Sequence, residues 1–154
     1  MKSLLGKLGV ILIGLMISEY AEVWGADWKL YNSNDKFLSY YDAQSITRPS
    51  ENIARVWVRR DYTEKGVSDW VENVGKKYEN LNHAIILREI NCAEKKSHRL
   101  SSTMYDDKGG VIISLNSPTG WAFIIPESSG EALYRPANRK EANPINPKQS
   151  KRGR

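Results

Sequence analysis

Cysteine is nearly absent: Cys92 is the only one in 154 residues. A single thiol excludes an intramolecular disulfide framework and any zinc site built on cysteine pairs. Histidine is almost as scarce. His83 and His98 lack the tight spacing that places two metal ligands on one element, so both read as solvated residues at strand ends. No G-x-S-x-G elbow occurs, and Cys92 has no nucleophile signature around it. Gly109-Gly110 is followed by no Lys-Ser/Thr and is no phosphate loop. Asp106-Asp107 pairs two carboxylates in a turn, where aspartate is favoured for local hydrogen bonding. The expectation is a protein without cofactor, metal or catalytic centre. A small hydrolase assembled from scattered residues such as His83, His98 and Cys92 is the weaker rival.

Long apolar runs are missing too. The uncharged stretch Leu8–Ile17 spans ten residues, about half of the roughly 20 that a membrane-spanning helix needs. Lys2 and Lys7 precede it, and Val23-Trp24-Gly25 before Ala26 supplies a cleavage site. Residues 1–25 therefore read as a signal peptide, with an uncleaved anchor as the other reading. No cysteine follows the apolar stretch to carry a lipid. The mature chain is expected in the periplasm or at the cell surface. Export makes an odd cysteine unusual. Cys92 is either a half-buried thiol or half of an intermolecular disulfide, which would make a dimer.

An excess of charge of either sign is missing from the body of the chain. The net charge of +5 divides into zero over residues 1–25, +6 over 135–154 and −1 over 26–134. A nucleic-acid-binding domain carries its basic charge on the fold itself, so nucleic acid is not an expected partner. The segment 135–154 contains Pro136, Pro144 and Pro147, and Ile145 is its only large aliphatic residue. It cannot bury enough apolar area to offset its ordering entropy and reads as a disordered basic tail. Lys148, Lys151, Arg152 and Arg154 would draw it to an anionic surface, unless the tail is only a solvated extension.

What is present is tyrosine and tryptophan, eight and five against two phenylalanines. These rings suit strands and surfaces, having both apolar area and a hydrogen-bonding group. Short strands are expected at Trp28–Tyr31, Phe37–Asp42, Ala84–Asn91, Arg99–Tyr105, Val111–Leu115 and Gly120–Ile125. The run Ile53–Tyr62 alternates strictly, with Ala54, Val56 and Val58 on one face and Arg55, Trp57 and Arg59 on the other. Trp70, Val71, Val74 and Tyr78 recur at helical spacing and predict one helix over 68–79, interrupted by Gly75. Ser128 with Glu131 three residues on marks a second helix start. The fold class is α+β: an antiparallel sheet with one or two packed helices. The domain covers 26–134.

Arg55, Trp57 and Arg59, with Arg60 beside them, form the one cluster that suggests binding. Exposed arginine and tryptophan anchor interfaces through stacking, bidentate hydrogen bonds and large contact area. Alternatively, Trp57 packs under the helix at 68–79 with arginine stems around it.

The succession Tyr40-Tyr41-Asp42-x-x-Ser45-Ile46, Val56-Trp57-Val58, Glu89-Ile90-Asn91-Cys92, Trp121, Ile125-Pro126-Glu127-Ser128 and Glu131-Ala132-Leu133-Tyr134 resembles the surface-adhesin protein E domain family of bacterial exported proteins. The likeness runs over residues 27–135. It implies an antiparallel sheet with helical elements, no catalytic machinery and display outside the cytoplasm; the name-giving members attach bacteria to host matrix proteins. It also implies a second cysteine after the Leu-Tyr pair, bonded to the one matching Cys92. Here Ala137 or Asn138 stands in that place. Loss of such a staple costs a small secreted domain about 2–5 kcal/mol, so a marginal C-terminal helix is expected. The reading is an exported, non-catalytic binding module that contacts an extracellular protein or polysaccharide. The alternative is a structural periplasmic protein supporting an envelope complex.

Overall fold

The computed structural model describes residues 25–139. All of the signal-peptide segment except Gly25, and Lys148, Lys151, Arg152 and Arg154 of the tail, lie outside the described residues. The chain forms β1 (Trp28–Ser33), β2 (Phe37–Asp42), β3 (Thr47–Ser50), β4 (Ile53–Tyr62), α1 (Glu64–Asn73), β5 (Leu81–Asn91), β6 (Lys96–Asp106), β7 (Val111–Leu115), β8 (Ala122–Phe123) and α2 (Ser129–Asn138). Every strand pairing is antiparallel. The order is β1-β2-β4-β5-β6-β7, with β3 pairing the start of β4 and β8 the start of β6. The result is an α+β fold dominated by its sheet.

Polar turn residues make the hairpins. Asn34 Oδ1 accepts from the amides of Lys36 and Phe37 between β1 and β2. Asn91 Oδ1 does the same for Ala93 and Glu94 between β5 and β6. Asp106 Oδ1 accepts from Lys108 and Gly110 between β6 and β7, where Gly109 takes a φ of 82°. Asn and Asp mimic a backbone turn in this way, and glycine adopts positive φ without steric cost. The Asp106 carboxylate thus serves the turn.

Both helices lie on the face formed by the even-numbered residues of β4. Ala54, Val56 and Val58 are buried there with Ala84, Ile86 and Ile90 of β5, Met104 of β6, and Leu133 and Ala137 of α2. Near α1, Tyr62 meets Trp70 edge-on and Trp70 packs on Tyr78. Gly66 lets α1 approach the β1–β2 turn closely, since a Cβ there would stand 2.1 Å from the Lys36 carbonyl oxygen.

The first helix differs from the expected 68–79. Thr63 caps it by accepting from the Gly66 amide, so it begins at Glu64. It stops at Asn73 because Gly75 turns the chain with a φ of 139°, and Lys76–Tyr78 forms a separate 3-10 turn. The expected strand at 120–125 shrinks to Ala122–Phe123, while β3, which contains Pro49, goes unseen in the sequence pattern. The second helix begins at its Ser128 cap and runs to Asn138, four residues into the segment read as tail. Tertiary contact outweighs local composition there. Ala137 is fully buried, and Arg48 Nη2 donates to the carbonyls of Ala137 and Arg139 at 2.7 and 2.6 Å. These bonds satisfy carbonyls at the helix end, where no further helical N–H follows to pair with them.

Candidate functional site

Among the described residues the opposite face of the sheet carries neither α1 nor α2. Strand pairing arranges it in rows: Leu30, Tyr40, Arg59, Ile85, Thr103 and Ser114 in one, Trp57, Leu87 and Ser101 in the next, then Arg55, Glu89 and His98. Trp57 lies here with 39% of its surface exposed. The alternative of a tryptophan packed under a helix is overturned, because the alternation of β4 sends Val56 and Val58, not Trp57, towards α1 and α2. Its backbone N–H donates to Ser45 Oγ at 3.0 Å, where a hydroxyl replaces the missing ladder partner next to β3.

Two of the arginines expected beside Trp57 flank it. Arg55 Nε donates to Glu89 Oε2 at 2.5 Å and Arg59 Nε to Asp61 Oδ1 at 2.7 Å. Arg60 does not join them. As an even-numbered residue it points to the helix-bearing face, with its guanidinium 4.1 Å from the Phe37 ring centre.

His98 is a second correction. Instead of a solvated strand-end residue it is 9% exposed. Its Nδ1 faces the Thr119 carbonyl oxygen at 3.0 Å, and its Nε2 faces Glu89 Oε1 at 3.2 Å. A carbonyl only accepts, so Nδ1 carries a proton. The imidazole is stacked on Trp121 with centroids 3.9 Å apart. Burial works against ionisation of Glu89, but hydrogen bonds from Arg55 and His98 and their charges outweigh it and hold the carboxyl below its ordinary value. With both ring nitrogens engaged, His98 orients this Arg55–Glu89–His98 chain and presents neither nitrogen to a substrate. His83 is elsewhere, stacked on Tyr105.

Trp121 and Phe123, 44% and 73% exposed, extend the same surface. Trp121 rests on His98, and Lys96 Nζ lies 4.8 Å from the Phe123 ring centre. Sequence reasoning placed both in a final strand and did not single them out. The pattern Trp121-Ala122-Phe123 held the signal, since alternation puts the two rings on one side. The surface thus joins three exposed aromatic rings to ion-paired arginines, a composition suited to docking a macromolecule. Cys92 is half-buried against the core, and its carbonyl accepts from Tyr134 Oη at 3.0 Å.

The family model described as surface-adhesin protein E matches residues 28–137. Among solved structures, the crystal structure of protein E from non-typeable Haemophilus influenzae is similar with a TM-score of 0.44 and 16% identity over 71% of each chain. No curated protein matches. With the match running from the first residue of β1 to the last turn of α2, the chain belongs to the surface-adhesin protein E family.

Proposed function

We propose that the chain is an exported, non-catalytic binding module that holds an extracellular protein against the helix-free face of its sheet. The observation that carries this reading is the exposure of Trp57, Trp121 and Phe123 on one uncovered face, with Arg55 and Arg59 beside the first. Soluble domains rarely leave aromatic rings grouped in water without a partner to cover them. Arginines already paired to carboxylates are fixed in place, so their remaining donors are preorganised for a ligand. Membership of a surface-adhesin family supports display outside the cytoplasm. The basic residues Lys148, Lys151, Arg152 and Arg154 would hold the chain near anionic envelope components.

Two measurements test the proposal. On intact cells, protease should digest the domain while a periplasmic control survives. In solid-phase assays against extracellular-matrix proteins, Trp57→Ala and Trp121→Ala should each weaken binding by tenfold or more, as anchor residues do, with unchanged circular dichroism. Protection of the domain until the outer membrane is breached would sink this reading, and so would full-strength binding by both variants.

A further inference from the structure

A cavity of about 350 Å³ opens on the helix-bearing face. Arg60 of β4, Arg88 of β5 and Arg99 of β6 line it, with Tyr62, Trp70 and Met104 among its apolar walls. Arg88 and Arg99 are direct cross-strand partners, brought opposite each other by a bulge after Leu87. Like charges so placed repel. Among the described residues no acidic side chain lines the cavity. Among the described residues none of the three arginines forms an ion pair.

Their hydrogen bonding is also incomplete. Arg88 Nε and Arg99 Nε are buried without a partner. Arg88 Nη2 reaches Ser97 Oγ at 3.3 Å, and Arg60 Nε reaches Ser39 Oγ at 3.4 Å. Burial, then the charges of Arg60 and Arg99, pushes the Arg88 guanidinium below its ordinary value, with Tyr31 opposing. Tyr31 supplies no counter-charge at pH 7, because burial pushes its hydroxyl up against the opposing pull of Arg60 and Arg88. Buried polar groups in native proteins are satisfied, and a buried cation left unpaired is costly. Three guanidiniums with free donors are the arrangement that carboxylates and phosphates complete with bidentate, charge-assisted bonds.

We propose that this cavity binds a compact multivalent oxyanion, a phosphate or polycarboxylate, carried on a small body that packs against Trp70 and Tyr62. The volume fits a ligand of small-metabolite size. The anion would replace the absent counter-charge of Arg60, Arg88 and Arg99. This site lies on the face opposite Trp57, meets the docking surface only at His98 on its rim, and does not rest on the macromolecular docking proposed above.

The test is thermal unfolding of the full chain at pH 7 in sodium phosphate, citrate or glucose 6-phosphate, each against sodium chloride of equal ionic strength. Phosphate and citrate also stabilise proteins by exclusion from their surface, so the decisive quantity is the difference between wild type and variants. Wild type should show a saturable rise in Tm of at least about 5 °C once ligand greatly exceeds its dissociation constant. Arg88→Gln and Arg99→Gln should each lose that saturable part, while Lys108→Gln, in the β6–β7 turn, should keep it. Arg88→Gln should also melt higher than wild type in chloride alone, having lost an uncompensated buried charge. Quenching of tryptophan fluorescence by glucose 6-phosphate but not by inorganic phosphate supports a carried anion stacked on Trp70; equal Tm shifts without quenching would overturn the stacked body. Identical shifts in wild type and both arginine variants would overturn the site itself.

Discussion

Glu89 shows how one side chain is fixed from two directions. Its carboxyl takes Arg55 on one oxygen and His98 on the other. These partners hold its folded-state pKa below that of the unfolded chain, which is about 4.3 for glutamate. The unfolded state then binds a proton more readily, so the stabilisation is complete above that value and is lost as pH falls through the folded-state pKa. Denaturant midpoints measured from pH 6 to pH 3 should fall for wild type and fall less steeply for Glu89→Gln; parallel curves would remove this role from Glu89. The residue scale is also where sequence reading reached furthest and then failed. Alternation alone separates Trp57, Arg55 and Arg59 from Val56 and Val58, but leaves open which of the two faces the helices cover. The same alternation assigns Arg60 to the core face, a consequence hidden while the four residues are treated as one patch. The burial of His98 and the meeting of Arg88 with Arg99 were beyond any local pattern, because both depend on which strands pair and on a bulge that shifts register.

At the scale of elements, boundaries were legible wherever side-chain chemistry sets them. Strands β2, β4 and β7 end where alternation ends, and Ser128 begins α2 as its capping pattern implies. Glu131, three residues on, accepts from the Glu127 amide rather than from the cap residue itself. The start of α1 was missed because its cap Thr63 lies well before Trp70, where the apolar periodicity begins, and its end was missed because the 3-10 turn keeps Tyr78 on the same buried side. The end of α2 was illegible for the opposite reason: Arg48, some 90 residues away in sequence, completes it. The family resemblance implies a disulfide at this end that the chain cannot form, so hydrogen bonds and Ala137 packing tie α2 down instead. Tyr134→Phe removes the bond to the Cys92 carbonyl and should cost about 1 kcal/mol. Faster amide exchange across 129–138 should accompany the loss. Unchanged melting and exchange would mean that Tyr134 contributes through its ring alone.

On the scale of the whole molecule, three adjacent strands separate two kinds of surface. One face of β4, β5 and β6 packs on helices and encloses arginines; the other meets water with aromatic rings. Side chains that point away from each other across a sheet share backbone but few direct contacts, and effects of such sites add when no partner is common. Trp57→Ala should therefore leave the phosphate-dependent rise in Tm unchanged, and Arg88→Gln should leave matrix-protein binding unchanged. The double variant should show the sum of the single effects within about 0.5 kcal/mol. A larger departure would mean that the sheet transmits strain from one face to the other. The feature that makes this separation possible is the adjacency of Arg59 and Arg60, consecutive residues that serve opposite surfaces. Odd-numbered positions of β4 can change with the partner outside while even-numbered ones remain under selection for the interior. A lineage of such domains could thus vary what it adheres to without rebuilding the molecule that does the adhering, and a single inserted residue in β4 would exchange the two sets at one stroke.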